Sequence, residues 1–290
     1  MHSLEPFDYF EPGDTREASE LLATRGDKVW ILAGGIDLIP RIRKGTLKAD
    51  HVINIQKIPS LDTIEFRQQK GITFGAMARL YSLEKSKTVQ DQYPILYEAI
   101  HQIASTQAKF MGTAVGNLCI GTPASDLATV LLALDAELTI EKTDGERKEP
   151  LSKFYQGYRR TTLKRGELVT HVFIPTPIEG TGTAFINLVR TRADIAKVSV
   201  AVSLCVKNGV CVDSRIAVGA VAPIVFRATV AESLLQDRKI NTDVIHEAAK
   251  VASGKTKPIT DLRSTASYRK AMTRILVERA LESAYQRAKG

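Results

Sequence analysis

Two glycine-centred turns, about eighty residues apart, constrain this chain more than any other feature. The first is Ile31-Leu32-Ala33-Gly34-Gly35-Ile36-Asp37-Leu38. The second runs Thr113-Ala114-Val115-Gly116-Asn117-Leu118-Cys119-Ile120-Gly121-Thr122-Pro123-Ala124-Ser125-Asp126. Glycine lets the main chain approach another group closely and tolerates positive φ. Successive loop amides leading into a helix make an anion-binding concavity. Neither segment is a Rossmann or P-loop fingerprint. Together they suggest one extended anionic ligand held between two loops. Alone, Gly34-Gly35 also reads as a plain turn after a strand. In the second segment Thr113 and Asn117 offer side-chain donors beside Gly116. Asp126, in the first turn of the next helix, reads either as a cap residue or as an acceptor for ligand hydroxyls.

The flanking residues place both turns. Asp14 followed by Glu17 predicts a helix cap. Val29 to Ala33 reads as a buried strand, Leu38 to Lys44 as a short helix and His51 to Ile55 as a second strand. Strands follow at Ile64 to Arg67 and Gly71 to Gly75, then a helix over Pro94 to Ala104. Ala124 to Leu134 reads as a helix, Ala136 to Glu141 as a strand entering an Asp144-Gly145 hairpin turn, and Leu168 to Ile174 as a further strand. Pro175, Pro177, Gly180 and Gly182 mark a boundary. Beyond it, valines alternate with small residues from Val198 to Val206. Asn208-Gly209 and a second alternating run then predict a one-sided antiparallel hairpin. Two or three covering helices complete the chain.

Composition narrows the class of function. The 290 residues are 44% hydrophobic and 25% charged, ordinary for a globular protein. No apolar run has the length of a membrane span, and Glu5, Asp8, Glu11 and Asp14 argue against a secretory leader. Three cysteines (Cys119, Cys205 and Cys211) and five scattered histidines, His2 among them, show no metal-ligand spacing. A reducing cytoplasm fits that cysteine usage. The net charge of +8 is spread among acidic residues, without a basic helix interleaved with aromatics, which argues against nucleic acid. Cys119 reads as a redox group or as a small packed side chain. No nucleophile elbow, zinc-protease or Walker motif is present.

These segments resemble the FAD-binding medium subunit of the molybdenum hydroxylases, the xanthine dehydrogenase and carbon monoxide dehydrogenase family. Leu32-Ala33-Gly34-Gly35-x-Asp37-Leu38 is similar to that family's first flavin loop. Gly112-Thr113-x-x-Gly116-Asn117 with Pro123-Ala124-x-Asp126-Leu127 is similar to its second. Gly157 to Leu163 with Gly166-Glu167-Leu168 resembles its linker, and Arg190-x-Arg192-Ala193-Asp194-Ile195-Ala196-Lys197-Val198 the opening of its C-terminal domain. Val115, Ile36 and the Ile186-Asn187 pair depart from the family pattern.

The resemblance implies an α+β fold: a two-lobed PCMH-type FAD-binding domain (lobes 1–57 and 58–177), then a small C-terminal antiparallel sheet with helices over 183–290. It implies FAD held by Ile31, Leu32, Ala33, Gly34, Gly35, Ile36, Asp37 and Leu38 at the pyrophosphate. Thr113, Val115, Gly116 and Asn117 complete the cradle, and Asp126 holds the ribityl or adenosine part. Ile103 and Ala104 line a ring pocket, Leu168 and Val169 touch the flavin from the linker strand, and Ile186 contacts it from the C-terminal domain. The implied role is electron transfer, from the clusters of an iron–sulfur small subunit through FAD to an external acceptor such as NAD or quinone. Substrate is oxidised on a molybdenum-cofactor large subunit of the same heterotrimer, which can be doubled. A self-contained flavin oxidoreductase and a non-redox nucleotide-binding scaffold are the alternatives.

Overall fold

The computed structural model describes residues 5–289, so His2 and the outermost ends of the first and last segments lie outside it. The first segment comprises β1 (Asp8–Phe10), α1 (Thr15–Thr24), β2 (Val29–Leu32), α2 (Leu38–Arg43) and β3 (His51–Asn54). Its three strands form a parallel sheet in the order β1-β3-β2. Asp14 caps α1 through the Glu17 amide at 2.8 Å, and Glu17 returns a bond to the Gly13 amide at 2.7 Å. The first glycine turn follows β2 where that strand leaves the sheet.

The middle of the chain adds β4 (Ile64–Arg67), β5 (Gly71–Gly75), α3 (Leu80–Lys85), α4 (Lys87–Gln92), α5 (Pro94–Gln102), α6 (Thr106–Met111), α7 (Ala114–Cys119) and α8 (Asp126–Ala133). It continues through β6 (Glu137–Lys142), β7 (Gly145–Pro150), α9 (Leu151–Phe154), β8 (Tyr155–Gly157), β9 (Arg160–Thr161) and β10 (Leu168–Pro175). Five of these strands make an antiparallel sheet, β4-β5-β10-β6-β7. Its apolar face and helices α3 to α8 share the largest core, which also takes in Ala18, Ile53 and Ile55 of the first segment. One core therefore runs beneath both glycine segments.

The C-terminal sheet, β11 (Thr181–Leu188), β12 (Val198–Lys207), β13 (Val210–Gly219) and β14 (Phe226–Arg227), is antiparallel in chain order. Helices α10 (Thr229–Leu235), α11 (Thr242–Gly254) and α12 (Ala266–Ala288) cover one face. Asn208 and Gly209 both take left-handed φ, 53° and 78°, as a type I′ turn requires.

Two expectations need correction. The hairpin is not one-sided: Val198 to Val206 is buried at every position. The residues that alternate with the valines (Ser199, Ala201, Ser203 and Cys205) are small rather than solvent-facing. Ala201 and Ala217 join the core around α8, and Thr129 of α8 bonds Ser199 at 3.2 Å. The second glycine segment is likewise not a loop throughout. Residues Ala114–Cys119 are helical, and Gly116 lies inside that helix.

Candidate cofactor-binding site

The two glycine segments meet main chain to main chain. A side chain at Gly34 would run into the Met111 carbonyl oxygen and lie 2.9 Å from Gly112 Cα. The glycine at 34 is therefore required first by packing between the segments. Gly35, at φ 73°, supplies the left-handed step that turns the chain into α2. In the opposite wall Thr113 caps α7, its Oγ1 accepting from the Gly116 amide at 3.1 Å. Ser125 caps α8, accepting from the Ala128 amide at 3.0 Å while its hydroxyl donates to Asn117 Oδ1 at 2.6 Å. That bond leaves the Asn117 amino group without a protein acceptor among the described residues.

Between these walls lies a cavity of about 480 Å³. Among the described residues, the main-chain amides of residues 33–38 donate to no protein acceptor. All six residues line the cavity, so their amides make an arc of unpaired donors along its wall. Successive unpaired amides leading into a helix are suited to an anion.

Of the residues expected from the sequence, Ile31, Ala33, Gly34, Gly35, Ile36, Asp37, Leu38, Ile103, Ala104, Thr113, Val115, Gly116, Asn117, Leu168 and Val169 line this one cavity. Ala104 turns the chain into it with a left-handed φ of 50°. Leu32, Asp126 and Ile186 are not in the lining. Leu32 points to the opposite side of its strand, against the small core of Ile42, Leu47, Ala49 and Val52. Ile186 packs on the core beneath α11 and α12. Asp126 is sealed where α8 meets the C-terminal sheet. Asn187 Nδ2 donates to its Oδ2 at 2.9 Å, and its buried Oδ1 has no partner. Burial pushes the Asp126 carboxyl up to about 6.

The sequence reading passed over the charged part of the lining, Arg41, Arg159 and Glu167. Arg41 and Arg159 reach Asp37 Oδ2 at 3.3 and 3.5 Å. Glu167 is gripped by Arg147, with Nε to Oε1 and Nη2 to Oε2 both at 2.9 Å, and this partner holds its carboxyl below the usual range. The available signal for Arg159 was a cation two residues after Gly157, in a stretch that reads equally as linker. Trp30 also lines the cavity, anchored by its indole N–H on the Lys48 carbonyl at 3.0 Å. Phe110 is exposed and stacks on Tyr81 with centroids 3.8 Å apart. Cys119 lines the cavity partly buried, and burial pushes its thiol up to about 12.

Residues 5–177 match the FAD binding domain in molybdopterin dehydrogenase, and residues 183–284 match the CO dehydrogenase flavoprotein C-terminal domain. The chain belongs to the FAD-binding subunits of the molybdenum hydroxylases. Among the relatives of this flavoprotein subunit, the 6-hydroxypseudooxynicotine dehydrogenase complex subunit alpha of Paenarthrobacter nicotinovorans is 33% identical, covering 98% of this chain and 96% of its own. The carbon monoxide dehydrogenase medium chain of Hydrogenophaga pseudoflava is 32% identical, covering 97% and 98%. A solved structure of carbon monoxide dehydrogenase from the same organism, in a form lacking the Mo-pyranopterin moiety of the molybdenum cofactor, superposes with a TM-score of 0.95. It shares 32% identity and covers 98% of this chain and 99% of that one. The subunit is thus an oxidoreductase component that works within a multi-subunit complex. Among its described residues no helix is long and apolar enough to cross a membrane.

The flavoprotein site fits FAD on its own geometry. The unpaired amides of residues 33–38 suit a pyrophosphate. Ile31, Ile103, Leu168 and Val169 supply apolar wall for ring systems.

Proposed function

We propose that this subunit holds FAD in the cavity between its two glycine segments and relays electrons within a heterotrimer. An iron–sulfur small subunit would deliver the electrons and an external acceptor such as NAD or quinone would remove them. Substrate oxidation would occur on a molybdenum-cofactor large subunit. Bound FAD supplies the interchange between one-electron and two-electron transfer. The chain's own residues bind, orient and shield. The amides of residues 33–38 take the pyrophosphate charge. The Thr113 hydroxyl proton and the Asn117 amino group offer side-chain donors on the facing wall. The aliphatic wall excludes water.

The observation that carries this reading is the arc of unpaired amides bordering an apolar cavity. The charged lining favours a relay over a self-contained flavin oxidoreductase. Glu167 is committed to Arg147, Asp37 to two arginines, and burial disfavours ionisation of the Cys119 thiol. No described side chain of the cavity is therefore poised as a substrate base. The test is purification of the tagged subunit from its host, with flavin, iron and molybdenum analysis. The account expects FAD on this chain and co-purifying iron–sulfur and molybdenum subunits. Substrate turnover by the chain alone would replace the relay with the self-contained enzyme.

A further inference from the structure

The charged lining of the cavity is balanced overall, Arg41 and Arg159 against Asp37 and Glu167, but its charges are not evenly placed. Arg41 and Arg159 converge on one carboxylate, Asp37, and all three side chains are half-buried there. The Asp37 cluster itself, two guanidiniums on one carboxylate, carries a net charge of one positive unit, while Glu167 bonds to Arg147, which it shares with Glu149. Asp37 contributes its own amide to the arc of unpaired donors.

Arg159 is held to this place by its main chain. It sits in the turn between β8 and β9 with a left-handed φ of 54°, and its amide donates to the Gly121 carbonyl at 2.9 Å. Gly121, itself at φ 65°, packs so closely that a Cβ there would lie 3.2 Å from Arg159 Cα. The side chain then spans from beside Gly121 of the second glycine segment to Asp37 of the first. Among the described ion pairs, Arg159–Asp37 is the one that joins residues before 58 to the rest of the chain.

A guanidinium forks onto two phosphate oxygens and keeps its charge at any working pH. A pyrophosphate in the arc carries twice the charge of a single carboxylate and competes with it for that guanidinium. We propose that Arg159, aided by Arg41, is a phosphate-binding residue of the cofactor site, with Asp37 holding it in place until the dinucleotide's pyrophosphate takes over. This rests on the FAD reading above.

The test is titration of the flavin-stripped subunit with FAD and with riboflavin, which has no phosphate, at low and high potassium chloride. Arg159→Gln should weaken FAD binding by about ten- to a hundredfold at low salt and flatten its salt dependence. Riboflavin affinity should be unchanged. Asp37→Asn should bind FAD more tightly than the wild type, because a competing anion is gone. Arg41→Gln should act in the same sense as Arg159→Gln, and it serves if the latter does not fold. Unchanged FAD affinity in Arg159→Gln would overturn the proposal. So would an equal loss of riboflavin affinity, which would mark a structural role, or weaker FAD binding in Asp37→Asn. A wild-type subunit that binds no FAD would reject the site itself, whereas wild-type binding with an indifferent Arg159 rejects only this assignment.

Discussion

Asp126 sits in the first turn of α8, outside the cavity lining, and its environment fixes a measurable consequence. Its carboxyl is sealed between α8 and the C-terminal sheet, with one oxygen bonded by Asn187 and the other unpartnered. Burial raises its pKa from 3.8 to about 6, so the folded state binds this proton more tightly than the unfolded chain does. The linked stability is fully present below pH 4 and is lost as pH rises through 6. The stability of Asp126→Asn relative to the wild type should therefore grow by about 3 kcal/mol between pH 4 and pH 7.5. Urea denaturation of the flavin-free subunit across that range measures it; a constant difference would show that the carboxyl does not titrate as the structure implies. Gly34 gives a steric prediction. Gly34→Ala pushes a methyl group into the Met111 carbonyl, so it should cost about 1–3 kcal/mol and lower flavin content together. Full stability and full flavin loading in that variant would mean that the two segments do not touch as described.

At the scale of elements, two short helices frame the second wall of the site, and their caps tie them together. Ser125 ends the connection from α7 to α8 by accepting from Ala128 and donating to Asn117. Ser125→Ala removes both bonds and should cost about 1–2 kcal/mol, with weaker flavin binding because the Asn117 carboxamide is no longer held. Thermal melts and a flavin titration measure the two effects; an affinity loss without a stability loss would contradict the capping role. Ahead of α7, the buried Lys109–Glu84 pair at 2.8 Å fastens α6 to α3, and His101 bonds the same carboxylate. Burial alone would push the Glu84 carboxyl up, but Lys109 and His101 together hold it below the usual range. Much of this architecture was legible in the sequence. Asp14-x-x-Glu17 capped a helix, Asn208-Gly209 turned a hairpin, and strands Ile64–Arg67 and Gly71–Gly75 kept their expected bounds. The helical state of residues 114–119 was not legible, because glycine and asparagine there favour a loop and tertiary packing overrode them. Nor was the second buried face of β12, since serine and alanine mark a solvent face and a tight helix contact alike. The Arg41–Asp37–Arg159 cluster needs residues over a hundred positions apart to meet, which no local pattern encodes.

For the whole molecule, the helix that follows the second glycine segment is also the helix on which the C-terminal sheet is laid. Gly219 of β13 sits so tightly against Thr129 and Ser199 that a side chain there would meet both hydroxyls. Gly182 of β11 leaves equally little room beneath α12. Arg269, buried at the base of α12, donates to the Lys197 and Ala220 carbonyls at 2.9 Å and to Asp261 at 2.7 Å, fastening three loops at one end of that sheet. The C-terminal third thus acts as a rigid brace for the wall that carries Thr113 and Asn117, and the parallel sheet at the other end supplies the amide arc. The most direct test of this arrangement is a map of the flavin-loaded subunit within its native complex. The account predicts the pyrophosphate of FAD within hydrogen-bond distance of the amides of residues 34–38, facing the start of α7. A dinucleotide bound anywhere else on the chain, or with those amides still unpaired beside it, would contradict it.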